Sequence, residues 1–199
     1  MNSPRSLNDV GQAFPIYITV VAGLLFLAFA YLAVGQAATT RNGAQTAADA
    51  AALAAAQETR DQLAGEWAEN VEDPASWDAI FDGVVTGLDN SCWRADQLAA
   101  QNGAHVEGCA MDGPLRYSVE VKTDEPVGDS IVPGTEDAYA HASAVAVIEP
   151  NCMFESPERE AEDDPLPTLT CKDQSWNLGL DDLPELPEPQ DLFDVHLTD

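Results

Sequence analysis

Basic residues are scarce: 8 Lys and Arg stand against 35 Asp and Glu, a formal charge of −27 over 199 residues. Nucleic-acid binding needs clustered Lys and Arg, so that class is excluded. The soluble part is equally unsuited to anionic lipid headgroups. Three His and four Cys supply little material for metal or nucleophile chemistry. No Gly-rich phosphate loop, nucleophile elbow or protease zinc motif is present. The composition is not that of an enzyme, and no cofactor is called for. Apolar residues nevertheless make up 45%, enough to build a core.

Charge of either sign is missing altogether from residues 10–40. Within that stretch, residues 14–34 form an apolar run from Phe14 to Val34, and about 20 apolar residues span a bilayer core. Pro15 falls in the first turn, where its missing N–H costs nothing. Tyr17 and Tyr31 fall near the two ends, at interface depth. A cleaved signal peptide has a shorter apolar core followed by a small-x-small site. Ala33-Val34-Gly35 and Gly35-Gln36-Ala37 have that form. The run is too long for a signal, however, and helix-forming sequence continues past it, so it reads as a retained anchor over residues 13–38. Arg5 before the span and four cysteines after it favour a short cytoplasmic leader, residues 1–12, and a C-terminal part in an oxidising, extracytoplasmic compartment.

Residues 39–73 are dominated by alanine, the best helix former. The helix is expected to run on to about Asn70, interrupted weakly at Gly35 and Gly43, with Pro74 ending the unit. Ala44, Ala47, Ala48, Ala51, Ala52 and Ala55 recur at helical spacing, giving a smooth face that lets another helix approach closely. The expectation is a stalk helix that bundles with other subunits through Gly23, Ala28, Gly35, Ala44, Ala48, Ala51 and Ala55, because helices in bilayers associate by close packing of small residues.

Residues 74–149 read as a small α+β domain, an antiparallel sheet packed on helices. Trp77, Ile80, Phe81, Val84 and Val85 repeat at helical spacing. Ser91 is placed to cap a helix from Cys92 to Gln101 that Asn102-Gly103 stops. Leu115, Tyr117, Val119 and Val121 alternate with polar residues as in a half-buried strand. Residues 138–148 read as a second strand with Ala140, Ala142, Ala144, Ala146 and Ile148 on one face. Residues 105–110 suggest a short third. Residues 150–199 form an acidic, Pro-rich region, mostly loop. Phe193, Val195 and Leu197 near its end are compatible with a terminal strand added to the sheet.

Asp163-Asp164 and Asp181-Asp182 lack the alternating ligand spacing of a calcium loop and read as solvated acidic surface. His105, His141 and His196 have no partner at metal-ligand spacing. Cys92, Cys109, Cys152 and Cys171 are the strongest chemical signal. Four cysteines allow three pairings. Sequential pairing is favoured: Cys92–Cys109 ties a helix start to the strand it packs on, and Cys152–Cys171 closes the acidic loop.

The segments Asp9-Val-Gly-Gln-Ala-Phe-Pro15, the single span and Arg41-Asn-Gly-Ala-Gln-Thr-Ala-Ala-Asp-Ala-Ala-Ala-Leu-Ala-Ala-Ala56 resemble TadE/TadG-like proteins. These are pseudopilin-type components of tight-adherence (Tad, Flp-type) pilus systems, here of the actinobacterial kind. The stretch from Cys92 to Cys109 is also similar to theirs. The resemblance implies a membrane-anchored part in pilus assembly or secretion, whose partners are the bilayer, other pilin-like subunits and pilus-machine membrane proteins. Prepilin processing takes a Glu five residues after a Gly; Ile16 stands at that place after Gly11. That departure favours a minor or accessory component over a polymerising pilin. The acidity of the C-terminal part opposes homopolymers, which points to mixed bundles. The rival class is an acidic binding module at the cell surface, held by one helix and meeting cations or a basic partner.

Overall fold

The computed structural model describes residues 13–126, 137–155, 166–172, 174–178 and 186–198. The leader 1–12 and the acidic pairs Asp163-Asp164 and Asp181-Asp182 lie outside the described residues. One α-helix, α1 (Ala13–Glu69), runs through both the apolar run and the alanine-rich segment. Its 57 residues make it about 85 Å long at 1.5 Å per residue. It ends where Asn70 turns back: both the backbone N–H and the side-chain Nδ2 of Asn70 donate to the Glu66 carbonyl. The Asn70 carbonyl in turn accepts the Trp77 indole N–H at 3.1 Å. Pro74 then opens a 3-10 turn (Pro74–Ser76) that feeds helix α2 (Trp77–Phe81).

Helix α2 is shorter than the spacing of apolar residues suggests. Val84 lies outside it and is exposed, while Val85 packs against the core. The chain turns at Gly83, whose φ of +69° strains any other residue and where a Cβ would stand 2.7 Å from Leu115 Cδ2, so that the leucine would have to shift. Helix α3 (Cys92–Gln101) follows and stops at Asn102-Gly103, with Gly103 at φ +69°. Its first turn is not capped by the Ser91 side chain. Asn90 Oδ1 accepts the Cys92 N–H at 2.8 Å instead, because Ser91 is drawn into the interior.

Four antiparallel strands make the main sheet: β1 (Ala104–Met111), β2 (Arg116–Thr123), β3 (His141–Pro150) and, from the chain's end, β7 (Phe193–Thr198), in the order β1-β2-β3-β7. A second sheet holds β4 (Cys152–Met153), β5 (Leu169–Cys171) and β6 (Gln174–Trp176), and a turn of helix α4 (Pro189–Leu192) precedes β7. The described part of the region 150–199 therefore packs with the domain. It closes the main sheet on one side and adds a small sheet of its own.

The alternation in β2 puts Tyr117, Val119 and Val121 inside, and β3 contributes Ala144, Ala146 and Ile148. Against them lie Ala47, Ala48, Ala51, Ala52, Ala55 and Ala56 of α1, all fully buried, with Ala95 and Ala99 of α3. At the far end an aromatic chain joins α1, α2, β7 and the residue after β4: Trp67 to Trp77 at 5.6 Å, Trp77 to Phe154 at 5.2 Å, and Phe81 to Phe154 and Phe193 at 5.6 and 5.2 Å. Thus the segment 39–73, expected as a stalk, is from Ala44 onward the central helix of the domain.

Candidate functional site

Helix α1 carries the candidate site, and its two stretches differ in surroundings. From Phe14 to Val34 the large side chains face outward, with Phe14 and Phe26 each 72% exposed. Every backbone group in a helix interior is satisfied within the helix, so this stretch suits lipid. It is one helix long and apolar enough to cross a membrane. From Ala44 to Trp67 the inward residues touch the chain's own sheet and α3.

This placement revises the expected packing face. Ala44, Ala48, Ala51 and Ala55 are fully covered by this chain's own domain. They cannot receive another subunit's helix while the domain is folded. The reason is geometric: small side chains let a helix lie close to a sheet as readily as to another helix, and the sheet is tethered to the same chain. Gly23 and Gly35 remain open, with nothing within 4 Å of a Cβ built on either. An α-helix turns by about 100° per residue. On that basis Ala28 and Gly35, one heptad apart, share a face, and the buried alanines lie roughly opposite it. Gly23 falls on the alanine side. The seven residues therefore do not form one stripe.

Beside α1 the interior holds a hydroxyl network that periodicity does not reveal. Thr59 Oγ1 is 2.7 Å from Ser91 Oγ and 2.9 Å from Tyr117 Oη. The Ser91 N–H donates to Tyr117 Oη, and Gln62 Nε2 donates to Ser91 Oγ. Gln62 also holds Asp89 through its N–H at 2.8 Å. The network joins α1, the loop before α3 and β2, and its buried hydroxyls satisfy one another. Among the described residues its partners are hydroxyls, an amide and a backbone N–H, and it ties together the three segments it bridges.

The histidines sit on the surface, each beside an acid. His105 Nδ1 is 2.9 Å from Asp124, His141 Nδ1 is 2.9 Å from Glu107, and His196 Nδ1 is 3.3 Å from Asp194. Among the described residues no group of three His, Cys, Asp or Glu is placed to hold a metal ion. The cysteines are joined as Cys92–Cys109 and Cys152–Cys171. The first bridge ties the start of α3 to β1. The second crosses directly between paired residues of β4 and β5.

Residues 11–58 match a family model described as putative Flp pilus-assembly, TadE/G-like. The match spans the apolar stretch of α1 and most of the packed one. No curated protein and no solved structure matches the chain. The family description names assembly and no reaction. Together with the apolar helix it supports membrane anchoring and a part in Flp pilus assembly.

Proposed function

We propose that the chain is a minor, pseudopilin-type component of a Tad (Flp-type) pilus system of the actinobacterial kind. It is anchored by residues 13–38, with the leader 1–12 cytoplasmic and the disulfide-bonded domain extracytoplasmic. The observation that carries this reading is the family match over residues 11–58, which falls on a helix whose apolar stretch is left uncovered. Two disulfides in one small domain suit an oxidising compartment. Ile16 in place of the processing Glu suits an accessory subunit.

Assembly through the helix would use the face of Ala28 and Gly35, since the alanines from Ala44 onward are occupied. Small residues at a heptad spacing let a partner's transmembrane helix approach closely. Deleting the gene should abolish surface pili, and the full-length chain should co-purify with pilus-machine proteins. Replacing Ala28 and Gly35 by Leu should abolish that co-purification at normal membrane levels. Intact pili after deletion, together with saturable calcium binding by the domain, would favour the surface binding module instead.

A further inference from the structure

The main sheet has two edges, and they are finished differently. In β1 the row of pairs slips between Val106 and Gly108, leaving Glu107 as a bulge, and Cys109 is bridged to α3. A bulge is one of the ways proteins blunt an edge. β7 has no bulge, and its charged residues are Asp194 and His196 on the outer face. Its six residues pair with β3 without a register break, from Val145↔Thr198 to Pro150↔Phe193, and it contains no Pro.

The direction of its free groups follows from the neighbouring bonds. Ile148 N–H donates to the Leu115 carbonyl, so the even-numbered residues of β3 bond toward β2. Asn151 N–H donates to the Leu192 carbonyl, in register with the β3–β7 ladder. Hence Asp194, His196 and Thr198 bond to β3. The N–H and C=O groups of Val195 and Leu197 point away from it, and no described residue bonds them. Among the described residues, two rungs of ladder are open side by side.

We propose that this edge of β7 receives an extended, cationic strand from a neighbouring membrane-anchored, pilin-like subunit. The proposal rests on the pilus-assembly reading and names the surface through which that reading would work. Strand addition supplies backbone bonds, and side chains at alternate positions supply specificity. Basic side chains would find acids here, although Asp49 already accepts a bond from Gln45 Nε2 at 2.8 Å. At the end of β7 a cavity of about 390 Å³ is lined by Gln45, Asp49, Ser143, Val145, Leu197 and Thr198. Leu197 shares the inner face of the sheet with its partner Ala146. A residue opposite Leu197 on an added strand would thus point into the cavity, toward Asp49. Asp194 and Glu149 lie along the outer face of the same strand pair; Lys172 and His196 of this chain meet them at 3.3–3.9 Å, yet the two acidic side chains stay 48% and 65% exposed. A second copy of this chain, at −27, would bring the same acids and be repelled.

The position also sets the height of the partner. Ser143 accepts a bond from Gln45 of α1. Gln45 lies 11 residues beyond Val34, so the cavity is about 16 Å along the helix from the end of the apolar stretch. A subunit anchored in the same bilayer reaches that level if its own domain begins at a similar distance from its span.

The test uses the full-length chain in its native membranes. Amide exchange at Val195 and Leu197 should be at least 10-fold slower there than in the detergent-purified chain. Equal rates would overturn the proposal. Leu197→Pro removes an N–H that makes no ladder bond and should leave the sheet and both disulfides intact. It should nevertheless reduce co-purifying pilin-like subunits at least 10-fold. Should that variant fold poorly, Leu197→Lys places a repelling charge on the same edge and should have the same effect. Undiminished co-purification with a folded variant would overturn the edge. A photo-crosslinker at residue 198 should map to a Lys- or Arg-bearing strand of another subunit; crosslinks only between copies of this chain would count against the proposal. Normal pili in a strain lacking the whole gene would instead overturn the pilus reading, and the exchange comparison would still decide the edge.

Discussion

The two stretches of α1 bury opposite kinds of residue. Between Phe14 and Val34, Phe, Leu, Tyr and Val point outward and nothing of this chain covers them. Beyond Gly43, alanines are sealed at full burial against a sheet whose own residues there are Ala, Val and Tyr. Hydrophobicity alone does not separate these stretches; side-chain size and neighbours do. In lipid a large apolar side chain is already in a suitable solvent and needs no partner. In water the same helix must be covered. Alanine gains little area per residue, but it allows close contact along the whole length of the helix.

The largest expected contrast is between aromatic residues of the two stretches. Trp67 is fully buried and meets Trp77 in a tilted ring contact. Trp67→Ala should destabilise the domain by about 3–5 kcal/mol. Phe26→Ala, within the span, should change domain stability by less than about 0.5 kcal/mol. Denaturant unfolding of the chain in detergent, followed by near-UV signal, measures both. Equal losses would mean that the span and the domain unfold as one unit.

Next in size is enlargement of an alanine. Ala51 is fully buried between helix and sheet. Ala51→Leu forces extra volume into a closed core and should cost about 1–3 kcal/mol. Ala28→Leu should leave domain stability alone and show its effect only in co-purification. If Ala51→Leu left the domain stable but removed partners, the alanine face would be an assembly surface after all.

A loss of the same order is expected at the hydroxyl network. Tyr117→Phe keeps the ring and removes the Oη that meets Thr59 and the Ser91 N–H. Leaving those groups short of a partner in the interior should cost about 1–3 kcal/mol, read from the same unfolding curves. The domain should remain folded, with Cys92 still bridged to Cys109.

Much of this architecture is legible along the chain where a period is long and regular. The apolar run, the helix as far as Asn70, and the alternation in β2 and β3 are of this kind. What sequence cannot show is which surface a smooth helix face meets. Ala44 to Ala55 fit a neighbouring helix and a tethered sheet equally well by spacing, and the sheet comes from residues more than fifty positions away. The same limit hides the Thr59–Ser91–Tyr117 network. Ser91 sits where an N-cap belongs, yet its hydroxyl is drawn to α1 while Asn90 caps in its place. Short elements are harder still. β4, β5 and β6 have two or three residues each, too few to display a period, and are held in place by the Cys152–Cys171 bridge and the ladder.

The smallest expected effects are stabilising, and they locate the boundary between the two stretches. Gly35, Gly43 and Gly65 all lie within α1 with right-handed backbone, and a Cβ at any of them meets nothing within 4 Å. Glycine in a helix interior keeps the unfolded chain freer than alanine does. Gly→Ala at an unstrained site should therefore stabilise by about 0.4–1 kcal/mol, but only if the site unfolds together with the domain. Gly65 is flanked by the buried Leu63, Ala64 and Trp67, so Gly65→Ala should show the full gain. Gly35 adjoins the span, whose helix is held by the bilayer or detergent even when the domain is open, so Gly35→Ala should show none. Gly43 precedes the first buried alanine and should fall between. Three unfolding curves thus mark where along one continuous helix cooperative folding begins. An equal gain at Gly35 would place that boundary at or before Gly35, and the division drawn at Gly43 would have to be abandoned.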